Sequence, residues 1–138
     1  MAERSSRHLS ERDLLATVSN EMAALQKQYA GKGPLRARTY WAGTDTLLVM
    51  FGGGFTIAEQ TMYEGGEGAA VRTGRQAFQS AMRDRMTELV EGLVGRTVIA
   101  FMSTSHQEPD LSVELFVFEP LEPDHPVRAV DPAVPPSS

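Results

Sequence analysis

RARTYWAGTDTLLVMFGGG, residues 36–54, holds the pattern on which the fold turns. Two runs of strand-forming side chains, residues 36–42 and 46–52, flank Gly43-Thr44-Asp45. A three-residue loop containing glycine is enough to close a β-hairpin. That loop places Tyr40 opposite Leu48, Arg38 opposite Met50 and Arg36 opposite Gly52. Strand side chains alternate, so Ala37, Thr39, Trp41, Leu47, Val49 and Phe51 share one face. Arg36, Arg38, Tyr40, Leu48 and Met50 share the other.

Upstream of the hairpin, Ser10 with Asp13 three places on reads as a helix start. Leu14, Leu15, Val18, Met22, Leu25 and Tyr29 then recur in steps of three and four, which predicts a helix over residues 11–30. Gly31, Gly33 and Pro34 end it. Downstream, Thr56 and Glu59 form a second capping pattern, so another helix starts near Ile57. Gly65, Gly66 and Gly68 interrupt it. From residue 69 the helical period resumes through Val71, Phe78, Met82, Met86, Leu89 and Leu93, up to Gly95. Two more strands, residues 97–103 and 111–119, flank a loop at 104–110. The order α-β-β-α-β-β predicts an α+β two-layer sandwich, a four-stranded antiparallel sheet with two helices on one face. Pattern alone leaves the strand order open.

The chain has 138 residues, about one domain's worth, and no cysteine, which excludes disulfides, thiolate metal sites and a cysteine nucleophile. Residues 1–9 read as a flexible arm, 10–119 as a single α+β domain and 120–138 as a disordered tail. Six of the eight prolines fall in that tail, where neither helix nor ladder can form. With 13 Lys+Arg against 18 Asp+Glu the net charge is −5, so there is no basic surplus to hold a phosphate backbone and nucleic acid is not expected. The longest apolar runs, residues 47–51 and 98–102, are far short of the ~20 residues that span a bilayer. No secretion signal precedes them, so a cytoplasmic protein without membrane insertion is expected.

In the last strand Val113, Leu115 and Val117 share a face, and Glu114, Phe116 and Phe118 share the opposite one. Both sheet faces are thus rich in apolar residues, and helices on one side can cover only one of them. A symmetric homodimer is therefore expected through the second face, formed by Arg38, Tyr40, Leu48, Met50, Glu114, Phe116 and Phe118.

Gly52, Gly53 and Gly54 lead from a strand to a helix start, where free N–H groups can meet an anion. Arg36 lies across from Gly52, and Arg72 and Arg75 sit early in the long helix, so these six residues form a candidate anion site. No Lys-Ser or Lys-Thr follows as a P-loop requires. The turn needs its glycines in any case. His106, Glu108 and Asp110 offer three cation ligands within five residues, but a polar hairpin loop needs such residues anyway, so no metal is assigned. His8, His106 and His125 lack an evident second group to fix them, no catalytic constellation is visible and no cofactor is expected.

Several blocks together carry a resemblance. They are Gly31-Lys32-Gly33-Pro34 running into Arg36-Ala37-Arg38-Thr39-Tyr40, then Gln76-Ala77-Phe78-Gln79 with Met82-Arg83-Asp84. Val94-Gly95-Arg96-Thr97-Val98-Ile99-Ala100-Phe101-Met102-Ser103 follows, and last Pro109-Asp110 with Val113-Glu114-Leu115-Phe116-Val117. In order and spacing, over about residues 10–119, they resemble a bacterial family of small proteins labelled MpsC-like. The label comes from a component of a sodium-translocating, membrane-potential-generating system that has been linked to inorganic-carbon uptake. The resemblance implies an accessory or binding module for a membrane transport complex, and it brings no catalytic residues. Thr104 departs from the family, in which an acidic residue commonly follows the serine ending the third strand.

Overall fold

The computed structural model describes residues 10–121, so the arm at residues 1–9 and the tail from residue 122 lie outside the described residues. Among the described residues the chain forms α1 (Glu11–Ala30), β1 (Arg36–Trp41), β2 (Thr46–Gly52), α2 (Ile57–Glu64), α3 (Gly68–Val94), β3 (Val98–His106) and β4 (Leu111–Phe118). The Ser10 side chain accepts the Asp13 N–H at 3.0 Å to start α1, and Gly31, in the left-handed region, closes it. Thr56 and Glu59 complete both halves of a capping box at α2.

Two helices were expected and three are present among the described residues. Gly66, at φ +87°, breaks the helical path, so residues 57–64 form a helix of their own. None of its residues is buried.

All neighbouring strands are antiparallel, in the order β1-β2-β4-β3. The first hairpin has the expected register, with Arg36 opposite Gly52, Arg38 opposite Met50 and Tyr40 opposite Leu48. The apolar strands β2 and β4 take the centre. The edges are marked by arginines on β1, and on β3 by a bulge between Val98 and Ala100 and a polar run from Ser103 to His106.

Between β2 and β4, Leu47 stands opposite Phe116 and Val49 opposite Glu114. Directly opposed residues share a face. Glu114, Phe116 and Phe118 therefore lie with Leu47 and Val49 on the core face, not with Arg38, Tyr40, Leu48 and Met50 as expected. The core joins Leu47, Val49, Phe51, Phe101, Phe116 and Phe118 of the sheet to Val18 and Met22 of α1 and to Met82, Met86 and Val90 of α3. Each large side chain so buried contributes roughly 1.5–3 kcal/mol. The outer face carries Arg36, Arg38 and Tyr40 of β1, and Leu48 and Met50 of β2. Val113, Leu115 and Val117 of β4 and Met102 of β3 complete it.

Arg96 clamps the far end of the sheet. Its guanidinium donates to the Thr44 carbonyl (2.8 Å), the Asp45 carboxylate and the Glu119 carbonyl (3.0 Å), and lies 5.0 Å from the Phe118 ring centroid.

Candidate functional site

Gly53 and Gly54 have φ +79° and +106°, and a Cβ on Gly53 would come within 2.8 Å of the Leu35 side chain. Backbone and space both require glycine at position 53. Two donors of this turn are already engaged. Gly53 N–H donates to the Asp110 carbonyl (2.9 Å), and Phe55 N–H to Asp110 Oδ2 (3.1 Å). Arg75 of α3 binds Asp110 Oδ1 at 2.9 Å and Glu59 Oε2 at 3.3 Å, with its guanidinium carbon 4.2 Å from the Phe55 ring centroid. The chain's own Asp110 thus takes the place the sequence offered to an external anion.

Of the six anion-site candidates, Gly53, Gly54 and Arg75 line one pocket of about 290 Å³. Gln26, Tyr29, Phe51, Phe78, Gln79 and Ser112 are also among its walls. Arg36 stands outside it, with its guanidinium against Gly52. Arg72 donates to Gln107 Oε1 (3.0 Å), and Gln107 Nε2 donates to the Gly68 carbonyl.

The loop trio does not converge. The His106 ring Nδ1 lies 2.8 Å from the Pro109 carbonyl, Glu108 accepts from the Tyr63 hydroxyl (3.0 Å), and Asp110 serves the glycine turn. Among the described residues no three His, Cys, Asp or Glu side chains are grouped to hold a metal. The Glu108 hydrogen bond raises the Tyr63 phenol above its usual pKa. Tyr63 also stacks on Phe55, which joins α2 to the turn.

Glu114 was placed by the sequence at an interface, and the fold puts it in the core at 1 % exposure. Gln79 Nε2 donates a long hydrogen bond to its Oε2 (3.4 Å), while Oε1 and the Ser103 hydroxyl are buried without hydrogen-bond partners. Loss of hydration pushes the Glu114 carboxyl up to about 7. The Ser103 hydroxyl, short of hydrogen-bond geometry, and the Gln79 amide pull it the other way. The signal for this position was its phase: Glu114 alternates with Phe116 and Phe118, the bulkier apolar side of β4.

The outer sheet face has nothing over it among the described residues, and Tyr40 (51 %) and Met102 (54 %) are broadly exposed. No described helix is long and apolar enough to cross a membrane.

No curated protein and no solved structure matches the chain. The model of the family described as Na+-translocating membrane potential-generating system (MpsC) matches residues 10–120. That span runs from the Ser10 cap of α1 through the glycine turn and the Arg96 clamp to the end of β4, and on that match the chain belongs to the MpsC family.

Proposed function

We propose that the chain is a non-enzymatic accessory module that self-associates through the outer face of its sheet and serves the sodium-translocating membrane system for which its family is named. One observation carries the self-association: an antiparallel sheet with a wet face should alternate cleanly to polar. Here that face presents Tyr40, Leu48, Met50, Met102, Val113, Leu115 and Val117. A largely apolar face can be its own complement, since a two-fold axis lying in the plane of contact sets the same patch of two copies against each other. Four strands ~4.8 Å apart and about seven residues long at ~3.3 Å each give a face of roughly 19 by 23 Å. Stacking two such faces removes on the order of 900 Å² from water, below the ~1,200 Å² of stable specific interfaces, so a weak, concentration-dependent dimer is the expectation. The accessory role rests on the family description. Its place of action is the cytoplasmic side.

Sedimentation of the full chain from one to about a hundred micromolar tests the first half. The expected result is a monomer–dimer equilibrium, shifted to monomer by Leu48→Glu or Leu115→Lys with unchanged far-UV circular dichroism. A wild-type monomer throughout that range would overturn the dimer. Pull-down of the tagged chain from detergent-solubilised membranes of its own organism, read by mass spectrometry, tests the second half. An enriched integral transport protein supports the accessory role, and recovery of the bait alone counts against it.

A further inference from the structure

The acceptors left over in this fold point to a ligand of the opposite sign from the one the glycine turn suggested. Two of the turn's N–H groups, those of Gly53 and Phe55, and Arg75 are taken by Asp110 and Glu59. Buried lone pairs remain instead: Glu114 Oε1, the Ser103 hydroxyl across the strand pair, and Gln26 Oε1. Gln26 lines the pocket beside Gly53 and Gly54, and so do Gln79, the hydrogen-bond neighbour of Glu114, and Ser112, two residues before it on the same face of β4. Buried acceptors without donors are costly, and an ion or water that meets them removes that cost.

We propose that Glu114, Ser103 and Gln79 form an oxygen-lined site for one small monovalent cation, entered from the pocket past Gln79. Glu114 Oε1 supplies the negative charge and Ser103 Oγ a neutral lone pair. A half-turn of the Gln79 amide exchanges its Nε2 for Oε1 towards the ion, a rearrangement within the same hydrogen-bonding envelope. One carboxylate balances one unit of charge, whereas a divalent ion would leave a net charge in the core.

The surroundings add no competing charge. Val49 of β2 and Ser103 of β3 flank Glu114 in the sheet, and α1 presents Val18 and Met22 to this core. On α3, Arg75 and Arg83 lie one turn either side of Gln79. Arg75 is held by Glu59 and Asp110, and Arg83 lies over the Phe101 ring. Because burial already holds the carboxyl near neutrality, proton and cation compete for the same oxygen around pH 7. The site stands on core geometry and is independent of the outer face.

The test uses the full chain in sodium, potassium or ammonium chloride against choline chloride at matched ionic strength. Side-chain carboxyl ¹³C NMR follows Glu114 through pH, and thermal unfolding is read at pH 5 and pH 8. Binding of a monovalent ion lowers the apparent pKa of Glu114 by about one unit for each tenfold rise in ion concentration above Kd. It raises Tm at pH 8 and not at pH 5. Ser103→Ala moves the required concentration upward while leaving the carboxyl to titrate, and Glu114→Gln abolishes the ion's effect on Tm. The same pKa and Tm in choline as in the other salts would overturn the site. So would a larger effect of magnesium or calcium, or an ion effect that survives Glu114→Gln. Should Glu114→Gln fail to fold, the wild-type titration and Ser103→Ala decide.

Discussion

Glu114 and Arg96 carry the clearest consequences at the scale of single residues. The Glu114 carboxyl rises from 4.5 to about 7 in the fold because burial disfavours its charged form. A carboxyl raised in this way contributes most below its unfolded pKa, and the contribution is lost as pH climbs through the folded value. The loss between pH 4.5 and the neutral range is about 3 kcal/mol. In choline buffer, unfolding by urea should therefore show wild-type stability falling from pH 5 to pH 8. Glu114→Gln, always neutral, should lose that slope and exceed wild type at pH 8. Arg96 serves three acceptors and two aromatic rings at the junction of the β1–β2 loop with the ends of β3 and β4. Its removal takes the guanidinium from buried Asp45, so Arg96→Ala should cost about 3 kcal/mol in denaturant unfolding. Lysine should restore only part of it, since a single ammonium cannot reproduce the planar fork.

Among the elements, α2 differs from its neighbours in what holds it. α1 and α3 bury apolar side chains against the sheet, but α2 buries none, and Ile57 at its start is 84 % exposed. Its attachments are polar or aromatic: Glu59 to Arg75, Tyr63 to Glu108, and Phe55 between Tyr63 and Arg75. Segments with few buried apolar contacts open at low free energy. Amide hydrogen exchange should therefore be faster in residues 57–64 than in the middle of α3. Arg75→Gln should speed exchange in α2 by about tenfold, or about 1.4 kcal/mol, while leaving the α3 core protection near wild type. Equal protection of α2 and α3 in wild type would count against this view.

For the whole molecule, the uncovered outer face sets the expected behaviour. Because the interface is small and apolar, the dimer should weaken sharply with a single charge placed at its centre. Leu115→Lys introduces two such charges per dimer and should raise Kd by at least tenfold in sedimentation equilibrium. Arg38→Ala, on the edge strand β1, should change Kd far less, because rim charges are screened by solvent.

Local interactions left their mark plainly in the sequence. The Ser10 and Thr56 caps, the stop at Gly31 and the Arg36–Gly52 register all follow from residues within a hairpin or a helical turn of one another. So did the family blocks, which run in order along the chain. The pairing of β2 with β4 joins residues as far apart as Thr46 and Val117 and was beyond such reading. Either side of β4 is apolar enough to face a core, and no turn chemistry fixes which one does. That long-range pairing turned Glu114, Phe116 and Phe118 inward and left Val113, Leu115 and Val117 outward. The same tertiary packing brought Asp110 onto the glycine turn, filling from within an anion position that the local sequence had left open. Local hydrogen bonding and steric rules wrote the elements into the sequence, while the choice of faces and of partners for their polar groups was made only when distant strands met.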